Sequence, residues 1–568
     1  MAASCTAQAT DWPQMGFDAR HSSNNTAETA ITRDNVARLT LKYATPVAAS
    51  MACDTAPIYA SGIETPAGTK DLLFITASGP PLGGFSMSSV LIAIDAADGS
   101  IVWTQATFGS YAHVSSTPAL DPGRGYVYAY GVDGYVHKYR IGDGVETITQ
   151  GPVGWPALIT LKPDVEKVAG GLSIAETDGA AYLIASTDGY YGDGGDYQGH
   201  ITSIDLATGA QHVFNAMCSD ITTHLAVGTC PNVRSGIWGR ASATYDPATD
   251  RIYFATGNGL FDANAGGFNW GDSVLALAAD GSSSGGMPID SFTPTIYDFL
   301  DGQDQDLGIT SPAIVPAPPQ SSVAHLGLQI GKYGTWYLLD LDDMSGTGQP
   351  GGVGGELQAL DVGFGDPPDQ PAVWVDPDDG STWLFMAYGA WQLVLDDAGV
   401  PTLESRWTGQ NYGMALVANG IVFWGGSVNA VDPRTGETLW ANSGSSGGAQ
   451  HWGGAIVADG ALYYVDYLGN MTKWALPPTH VVTPTVNDPG QGAIDPSDPE
   501  SVFEGDVARF TVTPTPPYVI ADVSGCGVAF DGSQYVTQPI VADCIVTATF
   551  ALDSSDRIFA DGFEDPRR

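Results

Sequence analysis

Positive charge is what this 568-residue chain has least of: 21 Lys and Arg stand against 63 Asp and Glu, a formal net charge of −42. Such a surface repels phosphate backbones and anionic headgroups, which argues against nucleic acid and anionic membrane as partners. It suits hard cations such as Ca²⁺. Long apolar runs are missing too, and no membrane span is expected. Cysteine is scarce, with six residues at positions 5, 53, 218, 230, 526 and 544 and no CxxC or CxxCH. That excludes a covalently attached c-type haem and leaves a thiolate zinc site without its ligand spacing. No HxxxH or HExxH pair supports a zinc hydrolase. There is no Walker A loop, and no GxGxxG follows a strand and opens a helix.

The few cysteines that are present fall into local pairs. Cys218 with Cys230, and Cys526 with Cys544, read as disulfides of an exported protein, secreted or periplasmic, with Cys5–Cys53 as the remaining pair. The alternative is a cytosolic protein with scattered thiols. The Met1-Ala2-Ala3-Ser4 start lacks a signal-peptide pattern and reads as a mature form restarted with Met.

What the chain has in quantity is glycine (72), proline (37) and apolar residues (43%), with only 15% charged. This is the make-up of many turns and short strands, an all-β chain. At this length it calls for a closed repeat architecture or several domains. One hairpin recurs at fixed spacing. Ala93-x-Asp95 is followed by Gly99 and Trp103, and Ala430-x-Asp432 by Gly436 and Trp440. Ser203-x-Asp205 is followed by Gly209, with Val213 in the tryptophan position. Asp opens the turn, Gly closes it, and the terminal aromatic can pack between neighbouring sheets. Weaker copies fill the gaps at roughly 50-residue intervals, about eight in all, the signature of an eight-bladed β-propeller. Leu39–Tyr43 would complete the last blade and close the ring. After residue 478 the chain alternates cleanly in Thr and Val, as expected of a small β-sandwich-like module over 479–554 stapled by Cys526 and Cys544, with a tail over 555–568.

The Trp12–Asn25 opening, the AxDxxxGxxxW hairpins, DPATDRIYFATGN at 246–258 and GKYGTWYLLD at 331–340 together resemble the quinoprotein (PQQ-type) propellers. These include alcohol and poly(vinyl alcohol) dehydrogenases and a non-catalytic outer-membrane assembly lipoprotein. The resemblance covers about residues 11–477. The module after 478 is similar to small extracellular β-repeats of bacterial secreted proteins, and the DSSDRIFADGFEDPRR tail resembles a C-terminal signature of exported proteobacterial proteins.

The resemblance implies a PQQ- and Ca²⁺-dependent dehydrogenase acting on a small or polymeric alcohol or polyol, with electrons passed to an external acceptor. Asn258 takes the place of a calcium ligand. Asp304 takes the place of the general base, a second metal contact, although Gln303 stands where the family has Trp. Lys332 matches the cation that anchors the quinone oxygens, and Trp238 the floor beneath the ring. The remaining calcium ligand, a Glu before an Arg-Gly pair, is replaced: Gly194 stands in its place and Gln198-Gly199 in that of the pair. Asp193 or Asp196 could substitute. The adjacent-cysteine disulfide of the alcohol dehydrogenases is absent. Each residue also has a plainer reading. Asn258 could be a left-handed turn residue, Asp304 part of a solvated acidic turn, Lys332 a surface lysine and Trp238 a core residue. A propeller that has lost its quinone and serves as a binding or adhesion scaffold is the competing function; other polymer-directed chemistry in the funnel is a third.

Overall fold

The computed structural model describes residues 10–49, 52–79, 88–109, 114–149, 153–177, 179–190, 192, 194–363, 370–386, 388–409, 413–426, 428–442 and 453–554. The chain divides into two compact units, Met1–Ala475 and Leu476–Arg568.

Among the described residues the first unit contains eight separate β-sheets of four or five strands, six of them built wholly from consecutive segments of chain. The first sheet is typical. Ile58–Thr65, Gly68–Ser78, Ser88–Asp95 and Ile101–Phe108 run antiparallel in sequence order. The eighth is not. Its strands Ile456–Ala458, Ala461–Val465 and Asn470–Ala475 are completed by Thr40–Pro46, which pairs with Asn470–Ala475. Asn24–Asn25 adds a parallel edge to Ala415–Ala418 of the seventh sheet. The N-terminal segment is thus tied into the last two sheets, leaving no loose end between first and last.

The recurring hairpin has a local cause. Asp95 Oδ1 accepts the Ala97 N–H at 2.9 Å, Asp205 Oδ1 the Ala207 N–H at 2.9 Å, and Asp432 Oδ1 the Arg434 N–H at 3.0 Å. Four residues on, Gly99, Gly209 and Gly436 donate back to the same Asp carbonyl at 2.8, 2.7 and 2.9 Å, with φ near +75° in all three: 78°, 76° and 71°. That backbone is left-handed and favours glycine. Outer-strand aromatics then seat under the turn of the next sheet. A Cβ on Gly144 would lie 2.6 Å from the Trp103 ring, and one on Gly436 2.8 Å from Trp407. At the closure, one on Gly99 would lie 2.6 Å from Tyr43, so the last sheet meets the first through the same contact. Apolar clusters fill the spaces between sheets, as with Phe214 and Phe254, or Leu328 and Leu384.

The second unit holds two four-stranded sheets around Val482, Phe510, Val546 and Phe550, with Cys526 and Cys544 joined as a disulfide. Cys218 and Cys230 are joined in the first unit. Cys53 is buried, close to Thr55 Oγ1 and the Thr76 carbonyl; Cys5 lies outside the described residues. No helix of the described residues is long and apolar enough to cross a membrane.

Candidate functional site

A cavity of about 490 Å³ opens where loops of the third, fourth and fifth sheets converge, lined by Lys167, Asp188, Trp238, Arg240, Asp304 and Lys332 among others. Each wall is set by a strand end. Lys332 follows Leu326–Ile330, and its own N–H donates to the Asp306 carbonyl at 2.9 Å, fixing the turn that presents it. Asp304 follows the short helix Tyr297–Gly302 with a left-handed backbone (φ 54°), which turns its side chain out of the acidic run. Asn258 follows Arg251–Ala255 and does not adopt a positive φ; its N–H donates to Asp306 Oδ1 at 2.8 Å instead.

Three of the expected residues therefore meet. Asn258 Nδ2 donates to Asp304 Oδ1 at 3.2 Å, and Lys332 Nζ lies 3.4 Å from the same oxygen and 3.6 Å from Asp306 Oδ2. Asp304 is 69% exposed at its side chain and Lys332 22%. Trp238, half-buried, lines the same space. Asn258 is 1% exposed, and its Oδ1 is buried without a hydrogen-bond partner. A buried acceptor left unpaired is costly and is the kind of atom a cation or water satisfies. Asp272 lies beneath. Burial, with Asp306 and Asp301 nearby, raises its carboxyl well above the ordinary range, although Oδ1 accepts the Leu307 N–H at 3.0 Å.

The substitutes for the missing glutamate do not join this group. Asp193 is outside the described residues. Asp196 is engaged elsewhere, its Oδ2 accepting the N–H of Gly228 from the loop after Gln211–Asn215 at 2.7 Å and its Oδ1 the Gln198 Nε2 at 3.0 Å. Gln198 serves the interior: its N–H donates to Glu166 Oε1 at 2.9 Å, and Glu166 forms a buried ion pair with Lys162 at 2.6 Å. Among the described residues no group of three His, Cys, Asp or Glu side chains is arranged to hold a metal ion. Asn258 Oδ1, Asp304 and Asp306 still offer a hard cation the oxygen donors it prefers. The space and its cations, Lys167, Arg240 and Lys332, suit a flat ligand carrying carboxylates.

Sequence reasoning passed over Lys167, Asp188, Tyr190, Tyr197 and Arg240, all of which line the cavity. Arg240 is buried, donating to the Ser115 carbonyl at 3.0 Å and the Ala169 carbonyl at 3.3 Å, and also to that of Asp54.

Residues 57–271 match the family model described as outer membrane protein assembly factor BamB. Three solved structures superpose on most of the chain. A europium-containing methanol dehydrogenase gives a TM-score of 0.56 at 15% identity, covering 82% of this chain and 98% of its own. The quinohemoprotein alcohol dehydrogenase of Comamonas testosteroni gives 0.54 at 16%, covering 83% and 82%. ADHIIG of Pseudomonas putida HK5 gives 0.53 at 15%, covering 82% and 80%. The chain has the fold of the quinoprotein propellers. At these identities the likeness is one of fold. No curated protein matches it.

Proposed function

We propose that the chain is an exported dehydrogenase that uses PQQ and Ca²⁺ to oxidise an alcohol or polyol and passes the electrons to an external acceptor. The observation that carries this is the sharing of Asp304 Oδ1 by Asn258 and Lys332, at 3.2 and 3.4 Å, on a cavity that Trp238 also lines. A bound quinone with its Ca²⁺ supplies the hydride acceptor. Asp304, open to the cavity, takes the proton of the substrate hydroxyl. Asn258 and Asp304 hold the cation, with Asp306 the nearest further carboxylate. Lys332 binds acidic oxygens of the ligand, and Trp238 offers an indole face to its ring. Export accords with the two disulfides.

A second reading, a propeller without quinone acting as a binding or adhesion scaffold, is favoured by one feature. Lys332 lies within 4 Å of both Asp304 and Asp306, so the carboxylates already have a counter-ion. Reconstitution separates the two. Purified protein given PQQ and Ca²⁺ should reduce an artificial electron-acceptor dye with a simple alcohol, and omission of either component should abolish the rate. Absence of dye reduction across a panel of primary, secondary and polymeric alcohols, with no quinone bound, would sink the enzyme reading.

A further inference from the structure

Lys167, one of the cations of the cavity, is given no role in the proposed reaction, yet its surroundings are those of a ligand contact. It lies on the strand Glu166–Val168 at the inner edge of the third sheet, in register with Asp188. Alternation along the strand sends Glu166 to the opposite face, where Lys162, Thr160 and the Gln198 N–H hold it. Asp188, directly across, does not take the amine either. Its carboxylate lies against Gly236, where a Cβ would meet Asp188 Oδ1 at 2.0 Å. Lys167 is 6% exposed, lines the cavity, and has its Nζ 5.7 Å from the centre of the Tyr190 ring. Its amine forms no hydrogen bond or ion pair with any described residue.

A buried ammonium with carboxylates near it but none in direct contact is unfavourable unless something that enters the site completes it. Arg240 approaches the same wall from the loop after Trp238, held by backbone carbonyls of Asp54, Ser115 and Ala169. Burial, opposed by Asp188 and Asp54 and assisted by Arg240, pushes the Lys167 amine down to about 8. Two cations of a strongly acidic chain are thus brought to one side of one cavity. Asp188, Asp304 and Asp306 share the lining, which disfavours the double charge of a phosphate and favours a singly charged carboxylate.

We propose that Lys167, backed by Arg240, receives a carboxylate of the molecule that occupies this cavity, a second anchor in addition to Lys332. The inference rests on the preceding section only for the ligand being a quinone; a carboxylate on a substrate would satisfy the same amine. An anion placed there raises the amine's hold on its proton, so affinity falls as pH rises through about 8.

The test uses the full chain, with tricarballylate as the carboxylate probe, its neutral triamide as control, and PQQ as a third arm. Acylation of Lys167 at about pH 8, read by peptide mass, reports occupancy of the amine. Tricarballylate should slow Lys167 labelling several-fold, leave exposed Lys42 unchanged, and bind Lys167→Met about thirtyfold more weakly, the scale of a truncated buried charge contact. Lys167→Arg should keep most of the affinity, which separates charge loss from misfolding. Equal protection by the triamide, unchanged affinity in Lys167→Met, or protection by neither carboxylate would overturn the proposal. Protection by tricarballylate with no PQQ binding supports the anion site and removes the quinone; PQQ binding that leaves Lys167 fully reactive overturns the site and keeps the quinone.

Discussion

Replacing Lys167 by Met should stabilise the protein in the absence of ligand. The drop in the amine from 10.5 to about 8, at about 1.4 kcal/mol per pKa unit, corresponds to about 3 kcal/mol of unfavourable burial at neutral pH. The sign follows from proton binding. Between pH 8 and 10.5 the unfolded chain holds a proton that the folded chain has released, so stability rises with pH across that window. Below pH 8 both states are protonated and the whole penalty is present. Met fills similar space with no charge, so its advantage is largest at pH 7 and shrinks as pH climbs past 8. For a unit of this size the unfolding entropy is about 1 kcal/mol per degree, giving a gain of about 3 °C in melting temperature at pH 7. Calorimetric melts of both proteins from pH 7 to 10, taken as differences, cancel the titration of all other groups. The groups facing the amine are Asp188, Asp54 and Arg240, with the Tyr190 ring alongside. Were Asp188 its true partner in solution, removing the amine would strand a carboxylate. A variant less stable than wild type at pH 7, or a difference that does not change with pH, refutes the reasoning.

Asp304→Asn should retain quinone binding and lower turnover of the reconstituted enzyme by about 10²-fold or more, the usual contribution of a positioned base, as read by dye reduction. Gly99→Ala should cost about 2–4 kcal/mol, because the left-handed backbone resists a side chain and the new methyl would sit 2.5 Å from Thr45 Oγ1 and 2.6 Å from Tyr43; a melt lowered by several degrees is expected, and an unchanged melt would contradict the ring-closing contact. Removing Cys526–Cys544 by paired substitution to Ala should cost the second unit about 3 kcal/mol, from the 18-residue separation it closes. Hydrogen exchange should show protection falling over Cys544–Leu552 and unchanged in the first unit.

The hairpins were legible in the sequence because their cause is local. An Asp that caps the amide two residues on and a glycine that must be left-handed four residues on leave a spacing that survives in three copies. The outer aromatic is also a local signal, although its partner is the turn of the next sheet. The site was legible only in part. Asn258, Asp304 and Lys332 stand at strand or helix ends within about 75 residues of one another, and the structure brings them together. Lys167 and Arg240 join them because the ring folds residues 115 to 332 onto one cavity, a convergence that no spacing records. Lys167 carried no comparable signal, because it stands beside Glu166 in a short charged stretch, KPDVEKV, where a solvated lysine is the ordinary expectation. Asp196 had the right type and neighbourhood, but Gln198 beside it and Gly228 from a later loop engage its carboxylate.

Quinone binding itself is the measurement that bears most directly on the function proposed. Titrating PQQ into the purified protein with Ca²⁺ present, followed by quinone absorbance and calorimetry, should give one site per chain at micromolar quinone or tighter. Binding should be lost in Lys332→Ala, whose amine lies on the cavity beside Asp304 and Asp306. No saturable binding at micromolar quinone, or binding that Lys332→Ala leaves intact, would contradict the assignment.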